Sequence, residues 1–196
     1  MAISYPLSTP TTIGIESIEL RAVNAVATSQ SPFTFKQQVV AHQGQKWEAS
    51  VNIPSVRRDK AAAWKAMLTA LKGQVGTFLL GDPDYDSPQG TVSSCVLSGS
   101  AGDATATVVM TGSLLAGDYI QLGSGSSAKL HQVLVDQTGD GDLDIWPDLR
   151  SDYTSASVVT SSPKGVFRLS QNISSWSIDN ASFYGIAFEA VEVISG

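Results

Sequence analysis

Apolar residues along this 196-residue chain alternate with polar ones far more often than they recur at helical spacing. "GIESIELRAV" (14–23) has the period of two expected of a half-buried strand. "FTFKQQVVA" (33–41) and "QKWEASVNI" (45–53) flank His42, Gln43 and Gly44, which reads as the turn of a long hairpin. In the second of these strands Trp47, Ala49, Val51 and Ile53 fall on one face. One stretch follows the other period. In "RRDKAAAWKAMLTALKG", Trp64, Met67, Leu68 and Leu71 stand at i, i+3, i+4 and i+7, so a helix is expected over about 57–72. Ser55, just after Pro54, is the expected N-cap and Gly73 the stop.

"GTFLLGDPDYDSPQG" (76–90) reads as a short buried strand running into a proline- and aspartate-rich turn, a first boundary. From 91 to 164 short strand-like segments follow one another: "SSCVLSG", "ATATVVM", "GDYIQL", "KLHQVLV", "LDIWP" and "ASVVTS". Gly-, Ser- or Asp-rich turns separate them, the pattern of a small β-barrel or sandwich. The last part returns to longer strands, "GVFRLSQN", "SSWSID" and "YGIAFEAVEVI". Ile186, Phe188 and Ala190 share an apolar face, and Glu192 breaks it, which places the strand's far end at a polar edge. The simplest topology has 1–90 and 165–196 sharing one sheet-plus-helix body, with 91–164 inserted as a separable lobe. The opening "MAISYPLSTPTT" is Ser-, Thr- and Pro-rich and reads as an extended arm that needs a partner to be ordered.

Composition agrees with many turns between short strands. Charged residues make up 15%, well below the usual quarter, and Ser, Thr, Gly and Asn fill the gap. The single cysteine, Cys95, excludes an intramolecular disulfide framework and a CxxC metal knuckle. The opening residues lack the basic and apolar regions of a secretory signal. No apolar run approaches the roughly 18 residues of a membrane span. Charge is unevenly spread. Residues 1–80 carry eight Lys/Arg against four Asp/Glu, residues 81–161 two against eleven, and residues 162–196 two against three. That sign change fits a separate middle unit and unlike faces that meet head to tail. A solvated acidic face is the plainer explanation of the same counts.

Catalytic motifs are missing. His42 and His131 lie far apart, "LGSGSS" (122–127) has the wrong spacing for a nucleophile elbow, and no HExxH, P-loop or GxGxxG occurs. The middle acids sit mostly in turns, where Asp bonds local backbone. No enzymatic activity and no cofactor are expected. Aromatic stacking on a sugar offers another role: Trp146 and Tyr153, with Asp148 and Arg150 as polar partners, could hold a pyranose, and the competing reading is that they cap a barrel core.

Several stretches together resemble a known family. "WEASVNIP" followed by a helix with a central Trp, and then "LKGQVGTFLLGDPD", is similar to the amino-terminal half of distal tail proteins of long-tailed siphophages and related gene transfer agents. "LLAGDYIQLG", "IWPDLR" and "SSPKGVFRLS" resemble that group's inserted lobe, and "IAFEAVEVI" its closing strand. The resemblance implies a β-sandwich of tail-tube type with one flanking helix. It implies six copies in a ring at the tail tip of the virion, between the tail tube protein and the tail-tip hub protein, assembled in the host cytoplasm. DNA would pass only as cargo through the lumen, and no membrane is involved. Compared with larger members, no long carboxy-terminal carbohydrate-binding module is expected, which favours an adaptor over direct host attachment. A carbohydrate-binding virion module is the alternative. Interface candidates are Tyr5 and Pro6 in the arm, the basic Arg57, Arg58 and Lys60, and the acidic Asp82, Asp84 and Asp86.

"DQTGDGDLD" (136–144) tests the metal alternative. Asp136, Thr138, Asp140 and Gly141 fit positions 1, 3, 5 and 6 of an EF-hand, but Pro147 stands at position 12, where a bidentate Glu is required. The flanks read as strands rather than helices. An acidic hairpin end is expected, with Asp side chains bonding nearby backbone N–H groups. A calcium ion on Asp136, Asp140 and Asp142 is the competing possibility.

Overall fold

A computed structural model describes residues 3–194. In chain order the elements begin with β1 (Ser17–Gln30), β2 (Gln37–Arg57), α1 (Arg58–Ala70) and β3 (Phe78–Leu80). Next come β4 (Val92–Gly99), β5 (Thr105–Leu114), β6 (Tyr119–Leu122), β7 (Lys129–Val133), β8 (Gln137–Thr138), β9 (Gly141–Trp146) and β10 (Tyr153–Val159). The chain ends with β11 (Gly165–Leu169), β12 (Trp176–Ile178) and β13 (Phe183–Glu192). The protein is mainly β, with one α-helix among the described residues.

Strands before β4 and after β10 form one antiparallel sheet in the order β1-β2-β13-β11-β3, with β12 beside the first half of β13. Its core follows from alternation. Trp47, Ala49, Val51 and Ile53 are all buried on one face of β2, joined by Ile186 and Ala190 of β13. Helix α1 covers that face with Ala61, Trp64, Met67 and Leu68; the last three, with Leu71 just past its end, make the stripe its spacing predicts. Trp64 is fully buried, and its indole N–H donates to the Ile13 carbonyl at 3.2 Å. The opposite face of β2, with Lys46, Glu48, Ser50 and Asn52, meets solvent.

The intervening strands form a closed barrel of six, β4-β10-β6-β7-β9-β5, in which β5 pairs back onto β4 and β8 adds to β5. Closure removes the exposed edges that a small open sheet would carry. In β5, Ala106, Val108 and Met110 point inward while Thr105, Thr107 and Val109 point out. Gly165 pairs with Leu80, so the chain leaves and re-enters the sheet on neighbouring strands.

Four expectations are corrected. His42, Gln43 and Gly44 are no turn; they form a bulge in continuous β2, opposite Ala25, where the register passes from Asn24–Gln45 to Val26–Ala41. The hairpin turn lies at residues 31–36, closed by the Ser31 amide on the Lys36 carbonyl at 3.0 Å. Ser55 is no N-cap. Pairing of Val56 and Arg57 with Tyr184 and Phe183 keeps this segment extended, so the helix starts straight from the strand, with Arg57 at the cap and no side-chain cap bond. Pro54 is tolerated because it sits at the register shift between Tyr184 and Ile186, where ladder bonding is already interrupted.

The opening segment packs on its own chain instead of awaiting a partner. Leu7 forms a parallel bridge to Phe78, with its amide on the Thr77 carbonyl and its carbonyl on the Leu79 amide. Tyr5 donates its hydroxyl to the Ala70 carbonyl at 2.6 Å, at the end of α1. Its ring takes the space beside Gly76, where a Cβ would come within 2.6 Å of it. Finally, Glu192 lies at no polar edge: it is 6% exposed and meets the barrel.

Candidate functional site

Two regions of the molecule depart from ordinary packing. The first is the far half of the β1–β2 hairpin. β13 supports β2 only as far as Glu48, so the rest is a two-stranded ribbon with both edges unpaired among the described residues. From 24 to 44 every residue except Ser31 is exposed. At about 3.3 Å per residue, 24–30 carry the turn roughly 20 Å past the sheet. Its tip holds Phe33 at 92% and Phe35 at 72% exposure, and Val26, Val39 and Val40 line the shaft. Lys36 is its only formal charge. An isolated hairpin is marginal in water, and apolar side chains on both its strands gain nothing there. Sequence reasoning missed the ribbon because Gly44 after His42 and Gln43 mimics a turn. The available signal was that residues 26–30 and 37–41 build no apolar face.

The second region is the joint between barrel and sheet. Trp47 carries it from the sheet side: its indole N–H donates to the Leu130 carbonyl at 3.0 Å, and its ring meets Trp146 edge-on at 4.5 Å. Tyr119 lies 6.0 Å away on the same ring, and Leu130 belongs to the sheet's core. Around the aromatics is a charged set. Arg150 donates to Glu192 Oε2 at 3.0 Å and to the Gln45 carbonyl at 2.7 Å. The Trp47 amide donates to the same carboxylate oxygen at 3.0 Å. Buried Lys129 donates to the Val193 carbonyl at 2.7 Å, and burial lowers its pKa against the opposing pull of Glu192. His131, fully buried on β7, places Nδ1 2.7 Å from the Pro147 carbonyl. Burial first, then Arg150 and Lys129, hold its pKa down at about 4 against that hydrogen bond. Removing the lobe would uncover Trp47.

The residues singled out from the sequence are dispersed. Tyr5 and Pro6 are half-buried near the end of α1, whereas Arg57, Arg58 and Lys60 are exposed at its start, on the order of 20 Å away by helix rise. Asp82, Asp84 and Asp86 follow β3. Asp82 Oδ1 accepts from the Asp84 amide at 3.0 Å, and the Asp86 carbonyl accepts from Ser161 and Ser162. Trp146 and Tyr153 serve different clusters, Trp146 the joint and Tyr153 the barrel core, where burial raises its phenol pKa. Trp146 is further engaged through its indole N–H, which donates to Asn24 at 2.8 Å, and the Asp148 amide donates to Gln45 Oε1 at 2.7 Å.

The acidic loop spans the β8–β9 turn. Asp136 accepts from the Ala116 amide at 2.7 Å and Asp140 from the Met110 amide at 2.9 Å, while Asp142 and Asp144 accept from Thr107 and Thr105. Their partners lie on or next to β5, twenty or more residues away, not in the local backbone. Among the described residues no three His, Cys, Asp or Glu side chains gather as a metal-holding group. His42 lies in the ribbon and His131 in the joint. Cys95 is buried, and burial raises its thiol pKa to about 11, which leaves it a weak nucleophile. Neither a protein-family model nor a curated protein matches the chain.

Proposed function

We propose that this chain is a structural subunit of a virion tail tip, a distal tail protein whose six copies form a ring between tail tube and hub. The observation that carries this reading is the ribbon. A long hairpin with apolar side chains, one charge and two open edges suits burial against another protein surface. On this reading the sheet and its helix are a body of tail-tube type, and the ribbon lies on the next copy or the adjoining ring. The sequence resemblance to distal tail proteins supports the same assignment. Arg57, Arg58 and Lys60 on one side and Asp82, Asp84 and Asp86 on another offer unlike charges to neighbouring copies. Exposed pairs contribute only about 0–1 kcal/mol each, so the ribbon outweighs them. The sheet's solvent face, with Lys46 and Glu48 paired at 2.9 Å, is mixed in charge and suits a surface past which DNA slides without sticking.

Phe33→Ser combined with Phe35→Ser tests the reading. Both side chains are exposed, so the thermal midpoint should stay within about a degree or two of the intact chain, since surface changes cost about 0.5 kcal/mol or less. Assembly, followed by light scattering, should be lost. Undiminished assembly of the double variant would remove the ribbon as the ring's main contact.

A further inference from the structure

The joint closes around a charge imbalance. Lys129 and Arg150 supply two cations, and among the described residues Glu192 is the only buried carboxylate bonded to either. His131 shares the face of β7 that carries Lys129. Opposite it across the ladder stands Ile120, which brings no charge. The segment after β9 contributes Arg150 and half-exposed Asp148, and the end of β13 contributes Glu192. With Nδ1–H donated to Pro147, His131 Nε2 is a bare acceptor without a partner among the described residues; the Arg150 Nε–H donor and the Glu192 Oε1 acceptor are also unpaired there. A proton on Nε2 would thus be a third positive charge in the joint, beside two cations and the single carboxylate of Glu192.

We propose that this joint is an acid-sensitive latch, in which protonation of His131 releases the barrel from the sheet while the core under α1 stays folded. Lys129, Arg150 and Glu192 stand where the end of β13 meets the barrel; His131 lies two residues along β7 from Lys129, opposite Ile120 of the barrel core, and parting the two units opens that end of the barrel to water. Among the described residues the core around Trp64, Val51 and Ile186 contains no His, Asp, Glu, Lys or Arg and has no reason to yield first. The sign follows from the proton count. The closed joint binds the His131 proton only near pH 4, the open joint near the ordinary 6.5. The closed state is fully favoured above pH 6.5 and loses ground as the pH falls toward 4, by about tenfold in the open-to-closed ratio per pH unit, or roughly 300-fold in all.

Hydrogen exchange on the full chain reads this directly. The Trp47 indole N–H, bonded across the joint to Leu130, reports opening; the Trp64 indole N–H, bonded to Ile13, reports the core. After correction for intrinsic exchange, protection of Trp47 relative to Trp64 should fall about tenfold per pH unit between 6.5 and 4. In His131→Gln, which takes up no proton, the ratio should stay flat. Loss of protection at both indoles together, a flat ratio in the intact chain, or an unchanged slope in His131→Gln would overturn the proposal. If His131→Gln does not fold, the profile of the intact chain alone decides.

Discussion

Trp47→Ala is expected to destabilise the whole chain by about 3–5 kcal/mol, the range for truncating a large buried aromatic that leaves a cavity. The residue is 3% exposed and touches both halves of the molecule. Its ring packs on Trp146 and Tyr119 of the barrel, its neighbours Ala49 and Val51 continue the sheet's buried face, and its indole N–H fills the Leu130 carbonyl. Alanine removes the contact, leaves that carbonyl unsatisfied and hollows the seam. Urea unfolding checks it. A loss below about 1 kcal/mol would mean that barrel and sheet rest on each other without a shared core.

Arg150→Ala should cost a similar amount, about 3–5 kcal/mol, for a different reason. The Glu192 side chain is 1% exposed and its partner 10%, so removing the guanidinium strands a buried carboxylate with one amide donor from Trp47. The pair itself adds little net stability, because both charges were desolvated to form it. Replacing both partners by apolar residues, Arg150→Met with Glu192→Leu, should therefore recover most of the loss. If the double variant is no better than the single one, the cost lies in the Gln45 contact rather than the stranded charge.

What the pattern of residues revealed depended on how local the cause was. The stripe of Trp64, Met67, Leu68 and Leu71 and the alternation of Trp47 to Ile53 are periodicities set by one element's own geometry, and both appear as expected. The six barrel strands were visible one by one, and their closure through β4 and β5 was not, since pairing partners leave no mark on alternation. Glu192 looked like an edge residue because Arg150, which makes its burial tolerable, lies 42 positions away in the other unit. The opening arm looked dependent on a neighbour, yet two backbone bonds at Leu7 and the hydroxyl of Tyr5 suffice to hold it. His42, Gln43 and Gly44 misled for the converse reason: turn-forming residues also suit a bulge, and only the continued register on either side tells the two apart.

The central claim is that the chain builds a ring through its ribbon, and the most direct measurement is an electron-microscope image of the purified full chain, with its mass by light scattering, alone and with a tail-tube partner. A closed six-fold ring with an open lumen is expected, alone or seated on the tube end. A monomer under all these conditions, or a closed two-fold dimer that buries the ribbons against each other, would contradict it.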